Sequence, residues 1–355
     1  MEEHRDPGDG DRGVVRDIRC AGGIVTKRAT VGRAKLLDEV AWLSRLPASV
    51  RGYFPRVLAT RLGPTWAEYD MPYSPWPNLA QLLLDGQLSA DDATTAVERI
   101  LCMAFDRMYR RNTRPTPECF FRRNYLEKVE RRMTVAEGAS PRLDHLVRAP
   151  TLIVNGRTVD SPLRLIRRIS TDEQLLGRLA APRLGMVHGD LKFDNILLAP
   201  GPLEASSFLL LDPRGATFAG GAEGDYLDDI AKLRTSTLAL YDLVRTGRMV
   251  VQVRGTRIST ALDQAASPTA GVFAALDTAL MGWMPAWAAA RNDPQWRLRL
   301  SFLTPLLLLA NAPFQLAPVS EQTETVALAL FTAGAQQLQA ATDPWSRGWQ
   351  RASSN

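Results

Sequence analysis

A chain of 355 residues, 45% hydrophobic and 23% charged, carries enough apolar material for a sizeable core, which excludes wholesale disorder and fits one large domain or two lobes. The formal net charge is +5, but the basic residues are dispersed and no lysine/arginine run is interleaved with aromatics, so no nucleic-acid face is marked. Three cysteines, Cys20, Cys102 and Cys119, share no metal-ligand spacing and make no disulfide framework, which points to a reducing compartment.

The first twelve residues, MEEHRDPGDGDR, are polar, lack an apolar signal core and are expected to be a disordered tail. Residues 13–31 alternate and read as two strands joined at Ala21-Gly22-Gly23. A helix is predicted over about 33–46 from the spacing of Leu36, Leu37, Val40, Leu43 and Leu46, closed by Pro47. Residues 54–62 and 65–71 read as a second hairpin turning at Gly63-Pro64, and Pro72–Asn78, with three prolines, is the best linker. Helical periodicity follows over about 79–85, 90–112 and 120–136, then a short strand at Thr151–Val154 ending in Asn155-Gly156. Residues 186–198 and 206–212 form a strand–loop–strand pattern with a turn near Gly201-Pro202, and from 225 onward the pattern is mostly helical. The most apolar stretch, Phe302–Ala317, is broken by Pro305 and Pro313 and is too short to span a bilayer, so the chain is expected to be cytoplasmic, with no membrane partner. The expected division is a tail (1–12), a small β-rich lobe (13–72), a hinge (73–78) and a larger, mostly helical lobe (79–355).

The segment Met186–Leu198, MVHGDLKFDNILL, carries the strongest chemical signal. Apolar flanks present Asp190, Lys192 and Asn195 from a loop, and a second carboxylate, Asp212, follows the apolar run Phe208–Leu211. Phosphoryl transfer asks little covalent help of a protein; it needs an acceptor hydroxyl held in line and Mg²⁺ held by hard oxygen ligands against the phosphates. Asn195 and Asp212 offer those oxygens, and Asp190 is left to orient the hydroxyl.

H-G-D-L-x-x-x-N followed by D-P-R-G resembles the aminoglycoside phosphotransferase and choline kinase superfamily, whose fold is protein-kinase-like. The resemblance implies an α+β, bilobal architecture, with Asp190 as catalytic base, His188 supporting the loop, and Asn195 and Asp212 as Mg²⁺ ligands. Lys192 is similar in position to the protein-kinase lysine that touches the transferred phosphate. Gly224–Leu233, GDYLDDIAKL, looks like the family's later helix start, with Asp225 and Asp229 as structural braces. A phosphate-anchoring lysine and a helix glutamate are then expected in the first lobe. Lys27 in IVTKRA and Glu39 on the predicted helix are the candidates, with Asp38 competing for Glu39 and Arg28 on the opposite strand face. Gly22 and Gly23 form either a phosphate-approaching loop or a plain hairpin turn; they do not make G-x-G-x-x-G. By resemblance the nucleotide base stacks beside Asp70, Met71 and Tyr73, and since Pro72 has no N–H, Met71 or Tyr73 must donate.

The implied phosphate donor is ATP or GTP. From Ile230 onward there are seven acidic and eleven basic side chains, a balance that favours a neutral or anionic hydroxyl acceptor over a polycation. Trp283, Trp287, Trp296, Trp345 and Trp349 offer either stacking surfaces or core packing. The expectation is a small-molecule O-phosphotransferase, monomeric or homodimeric, acting on a sugar-, nucleoside- or antibiotic-type acceptor. An antibiotic-inactivating kinase and a nucleotide-binding pseudokinase scaffold are the alternatives. A protein kinase is disfavoured, because no A-P-E segment lies between Asp212 and Asp225.

Overall fold

The computed structural model describes residues 16–111, 113–135, 138–201, 207–214, 223–316 and 319–352. The expected tail at 1–12 and the turn residue Pro202 lie outside them. The chain is α+β, with a small antiparallel sheet at the N-terminal end and helices dominating the remainder. Its contacts divide it into two compact units, one of residues up to Arg114 together with Leu184–Asp229, the other of Pro115–Arg183 together with residues from Ile230 on.

The first unit opens on four strands, β1 (Arg16–Ala21), β2 (Ile24–Ala29), β3 (Ala59–Leu62) and β4 (Ala67–Pro72), in the order β1-β2-β4-β3. β1 and β2 are joined by Gly22 and Gly23 with φ of 57° and 74°, the paired left-handed conformation of a two-residue hairpin turn. A Cβ at either glycine would meet nothing within 4 Å, so φ rather than crowding demands glycine here. Helix α1 (Arg33–Ser44) lays Leu36, Glu39, Trp42 and Leu43 inward, ending two residues short of the predicted span. β3 starts at Ala59, well inside the predicted 54–62, while Phe54 is buried as a core residue instead. The predicted strand–loop–strand is present as Ile196–Leu198 paired antiparallel with Phe208–Leu210, preceded by the strand Arg183–Met186.

The second unit is built on long helices at Ser267–Ala289, Trp296–Asn311 and Glu321–Ala352. It also holds a four-stranded sheet of which the sequence reading gave only Thr151–Val154 and the turn after it. The hairpin Thr151–Val154 with Arg157–Asp160 turns on Asn155 and Gly156, both at positive φ. A second hairpin, Met249–Arg254 with Arg257–Leu262, joins it through a parallel pairing of Arg257 and Ile258 with Ile153 and Val154. No helix among the described residues is long and apolar enough to cross a membrane.

Candidate active site

The residues of the sequence motif lie within the first unit, and one carboxylate holds their loop. Asp229 accepts hydrogen bonds from the backbone N–H of His188 (2.9 Å) and of Gly189 (2.7 Å), and from the Tyr109 hydroxyl (3.1 Å). Burial nevertheless pushes Asp229 up to about 6, the three hydrogen bonds opposing that rise. Gly189 takes φ 79°, which a side chain would strain at the point where the loop turns toward Asp190. Asp225 Oδ1 accepts from Leu227 N–H (3.0 Å) at the start of the helix Tyr226–Thr237.

His188 is 1% exposed and packed against Trp42 and Phe54, with ring centroids at 6.5 and 6.1 Å. Its Nδ1 accepts from the backbone N–H of Asp190 (3.2 Å), and Arg214 N–H donates to its carbonyl (2.7 Å). Burial lowers His188 to about 4, against the pull of Asp190 and Asp212, so at neutral pH it is an uncharged strut.

Asn195 Nδ2 donates to the Asp190 carbonyl (2.8 Å). That bond fixes the amide orientation and leaves Asn195 Oδ1, a hard oxygen, for another ligand. The main chain then carries Asp212 to the same place: Leu211 N–H donates to the Asn195 carbonyl (2.8 Å), and Asp212 follows with a left-handed backbone, φ 58°. Such a conformation costs a non-glycine residue about 1–3 kcal/mol and gathers at functional sites.

Lys27 bridges two carboxylates. Its Nζ lies 2.6 Å from Glu39 Oε1 and also pairs with Asp212 Oδ1. Lys27 and Glu39 are each 2% exposed, and the Tyr69 hydroxyl donates to the same Glu39 oxygen (2.7 Å). Arg28, on the other face of the strand, lies toward Glu68 and the Trp66 ring.

Lys192 Nζ is 3.0 Å from Asp194 Oδ2, and Arg214 Nη2 is 2.9 Å from Asp190 Oδ2. Sequence reading quoted Arg214 within D-P-R-G but gave it no role; its position two residues after Asp212 was the available signal. On β4, Asp70 is tied to Arg61 (2.7 and 2.8 Å) and Thr26 (2.7 Å), which hold it below the usual carboxylate range. The Tyr73 N–H donates to the Gly23 carbonyl (2.8 Å), and Met71 is opposite Val25 in the β2–β4 register.

Among the described residues no group of three or more His, Cys, Asp and Glu side chains is arranged to hold a metal by itself. Asn195 and Asp212 nonetheless fit Mg²⁺, which takes one or two protein oxygens and completes its shell with water and phosphate.

No family model and no curated protein matches the chain. Among solved structures it is similar to the aminoglycoside phosphotransferase APH(3'')-Id from Streptomyces rimosus, at 19% identity over 76% of this chain and 94% of that one, with a TM-score of 0.39.

Proposed function

We propose that the chain is a Mg²⁺-dependent O-phosphotransferase that moves the γ-phosphate of ATP or GTP to a hydroxyl of a small sugar-, nucleoside- or antibiotic-type acceptor. The observation that carries the reading is the Lys27 bridge between Glu39 and Asp212, with Asn195 locked by the Asp190 carbonyl. A lysine so held presents its charge to nucleotide phosphates, and Asn195 Oδ1 and Asp212 would hold the Mg²⁺. When bound, the ion supplies charge neutralisation on the phosphates. Asp190 accepts a hydrogen bond from the attacking hydroxyl and ends with its proton, as the new O–P bond forms and the β–γ bridging P–O bond breaks. Arg214 beside Asp190 holds that carboxylate in place.

The alternative of a nucleotide-binding scaffold draws on the same Arg214–Asp190 contact, which occupies the carboxylate needed as base. Thermal-shift titration of wild type and Asp212→Asn with ATP and GTP, with and without Mg²⁺, tests the nucleotide site. Stabilisation that needs Mg²⁺ and vanishes in the variant supports it and names the donor; no shift with either nucleotide sinks it. Mass spectrometry of hydroxyl-bearing acceptors incubated with the preferred nucleotide then separates enzyme from scaffold, a mass gain of one phosphate that disappears in Asp190→Ala marking the enzyme. Whether the phosphorylated acceptor is a metabolite or an antibiotic separates the biosynthetic from the resistance role.

A further inference from the structure

The second unit contains a cavity of about 710 Å³ that has no part in the site above. Its apolar wall comes from Leu238, Leu298, Ala340 and Ala341, and its polar groups are Arg178, Arg234, Ser301, Thr304 and Gln337, with Trp345 at one side. Two of the helices that line it carry interior prolines. Pro305 in Trp296–Asn311 and Pro344 in Glu321–Ala352 cannot donate to the carbonyls four residues earlier and crowd them. Those carbonyls belong to Ser301 and Ala340, both on the wall.

Each guanidinium is held through Nε and Nη2, Arg234 by an ion pair with Asp277. Arg234 gives Nε and Nη2 to the two oxygens of Asp277 (2.9 and 3.1 Å), which Thr237 also engages (3.0 Å). Arg178 gives Nε and Nη2 to Gln295 Oε1 (3.3 and 3.1 Å) and lies over the Trp345 ring, 5.1 Å from its centroid. Among the described residues neither Nη1 group makes a hydrogen bond, and neither does the Gln337 amide. Thr304 on the same wall is 1% exposed, and its Oγ1 is sealed from the cavity. Among the described residues no carboxylate lines the cavity.

We propose that this cavity binds a small organic anion, a carboxylate or phosphate carried on a compact apolar body. The oxyanion takes the unspent Nη1 donors of Arg178 and Arg234, whose fork geometry suits either group, and the apolar body lies against Leu298, Ala340 and Ala341. Nothing in this inference depends on the phosphotransfer reading.

Isothermal titration of the full chain with benzoate and with phenyl phosphate tests it, with benzyl alcohol and benzylammonium as neutral and cationic counterparts of the same shape. Saturable one-to-one binding of at least one anion is expected, weakened ten-fold or more in Arg178→Gln. Arg178 is exposed, so its replacement leaves no buried charge and the variant should fold. Binding by neither anion, equal binding of benzyl alcohol, or an unchanged affinity in folded Arg178→Gln would each overturn the proposal.

Discussion

Arg214 Nη2 stands 2.9 Å from Asp190 Oδ2 and its Nε 3.3 Å from the same oxygen, while the loop's own Lys192 turns to Asp194. The cation beside the central carboxylate therefore comes from the segment that follows Asp212. Asp190 is nearly buried, so removing Arg214 strands a charge with few waters to take its place. A double-mutant cycle of Arg214→Ala and Asp190→Ala, read by urea denaturation, should give a coupling of about 1–3 kcal/mol. Additive losses would show that the pair does not form in solution.

The Lys27–Glu39 pair makes a sharper demand. Both side chains are almost wholly buried, so Lys27→Met should leave Glu39 with the Tyr69 hydroxyl but without its cation. Breaking a buried pair from one side costs about 3–5 kcal/mol. Lys27→Met combined with Glu39→Gln retains an acceptor for Tyr69 and removes the unpaired charge, so most of the loss should return. Chemical-denaturation midpoints of the single and double variants provide the check, and a double variant as unstable as the single one would contradict the account.

His188 and Asp229 titrate in overlapping windows with opposite sign. Burial brings His188 from 6.5 down to about 4, so between those values the unfolded chain binds the extra proton. Its contribution is complete above about 6.5 and is lost as pH falls through about 4. Asp229 is raised from 3.8 to about 6, so its contribution is complete below about 3.8 and is lost as pH rises through about 6. Each shift corresponds to about 3 kcal/mol, and over pH 4–6 the two nearly cancel. Wild-type stability should owe little slope to this pair, whereas Asp229→Asn exposes the His188 term and should lose stability toward acid. Urea midpoints from pH 4 to 7 test this; parallel curves for the two proteins would exclude Asp229 as the compensating group.

What the sequence revealed depended on the range of the interactions involved. The loop from His188 to Asn195 and the aspartate at 212 were legible because turn-forming and liganding residues sit between short apolar strands, a local pattern. Lys27 and Glu39 were legible through the resemblance, which asks for a strand lysine and a helix glutamate; the pattern alone left Asp38 beside Glu39, and the structure brings Lys27 and Glu39 to 2.6 Å. Tyr109 was not, since its hydroxyl meets Asp229 from 120 residues away. The hairpin Met249–Arg254 with Arg257–Leu262 was overlooked although VVQVRGTRIST alternates around a glycine turn; the apolar helical stretches on either side masked a period-two signal of six residues.

Gly185, three residues before His188, tests how closely the loop depends on its support. A Cβ there would lie 2.3 Å from the Tyr109 carbonyl oxygen, and 3.6 Å from that of Arg111, to which Met186 N–H donates (3.1 Å). Backbone cannot yield as a flexible side chain would, so Gly185→Ala must push the strand Arg183–Met186 away from Tyr109. The same displacement would draw the Tyr109 hydroxyl from Asp229, and with it one of the three bonds that anchor the His188–Gly189 turn. A loss of about 1–3 kcal/mol is expected from overpacking, with more where the strand cannot move. In variants that remain folded, the thermal shift given by Mg²⁺–nucleotide should shrink as well. Gly52→Ala is the control, since a Cβ there would meet nothing within 4 Å. If Gly185→Ala were as stable as Gly52→Ala, the close approach of the strand to Tyr109 would not exist in solution.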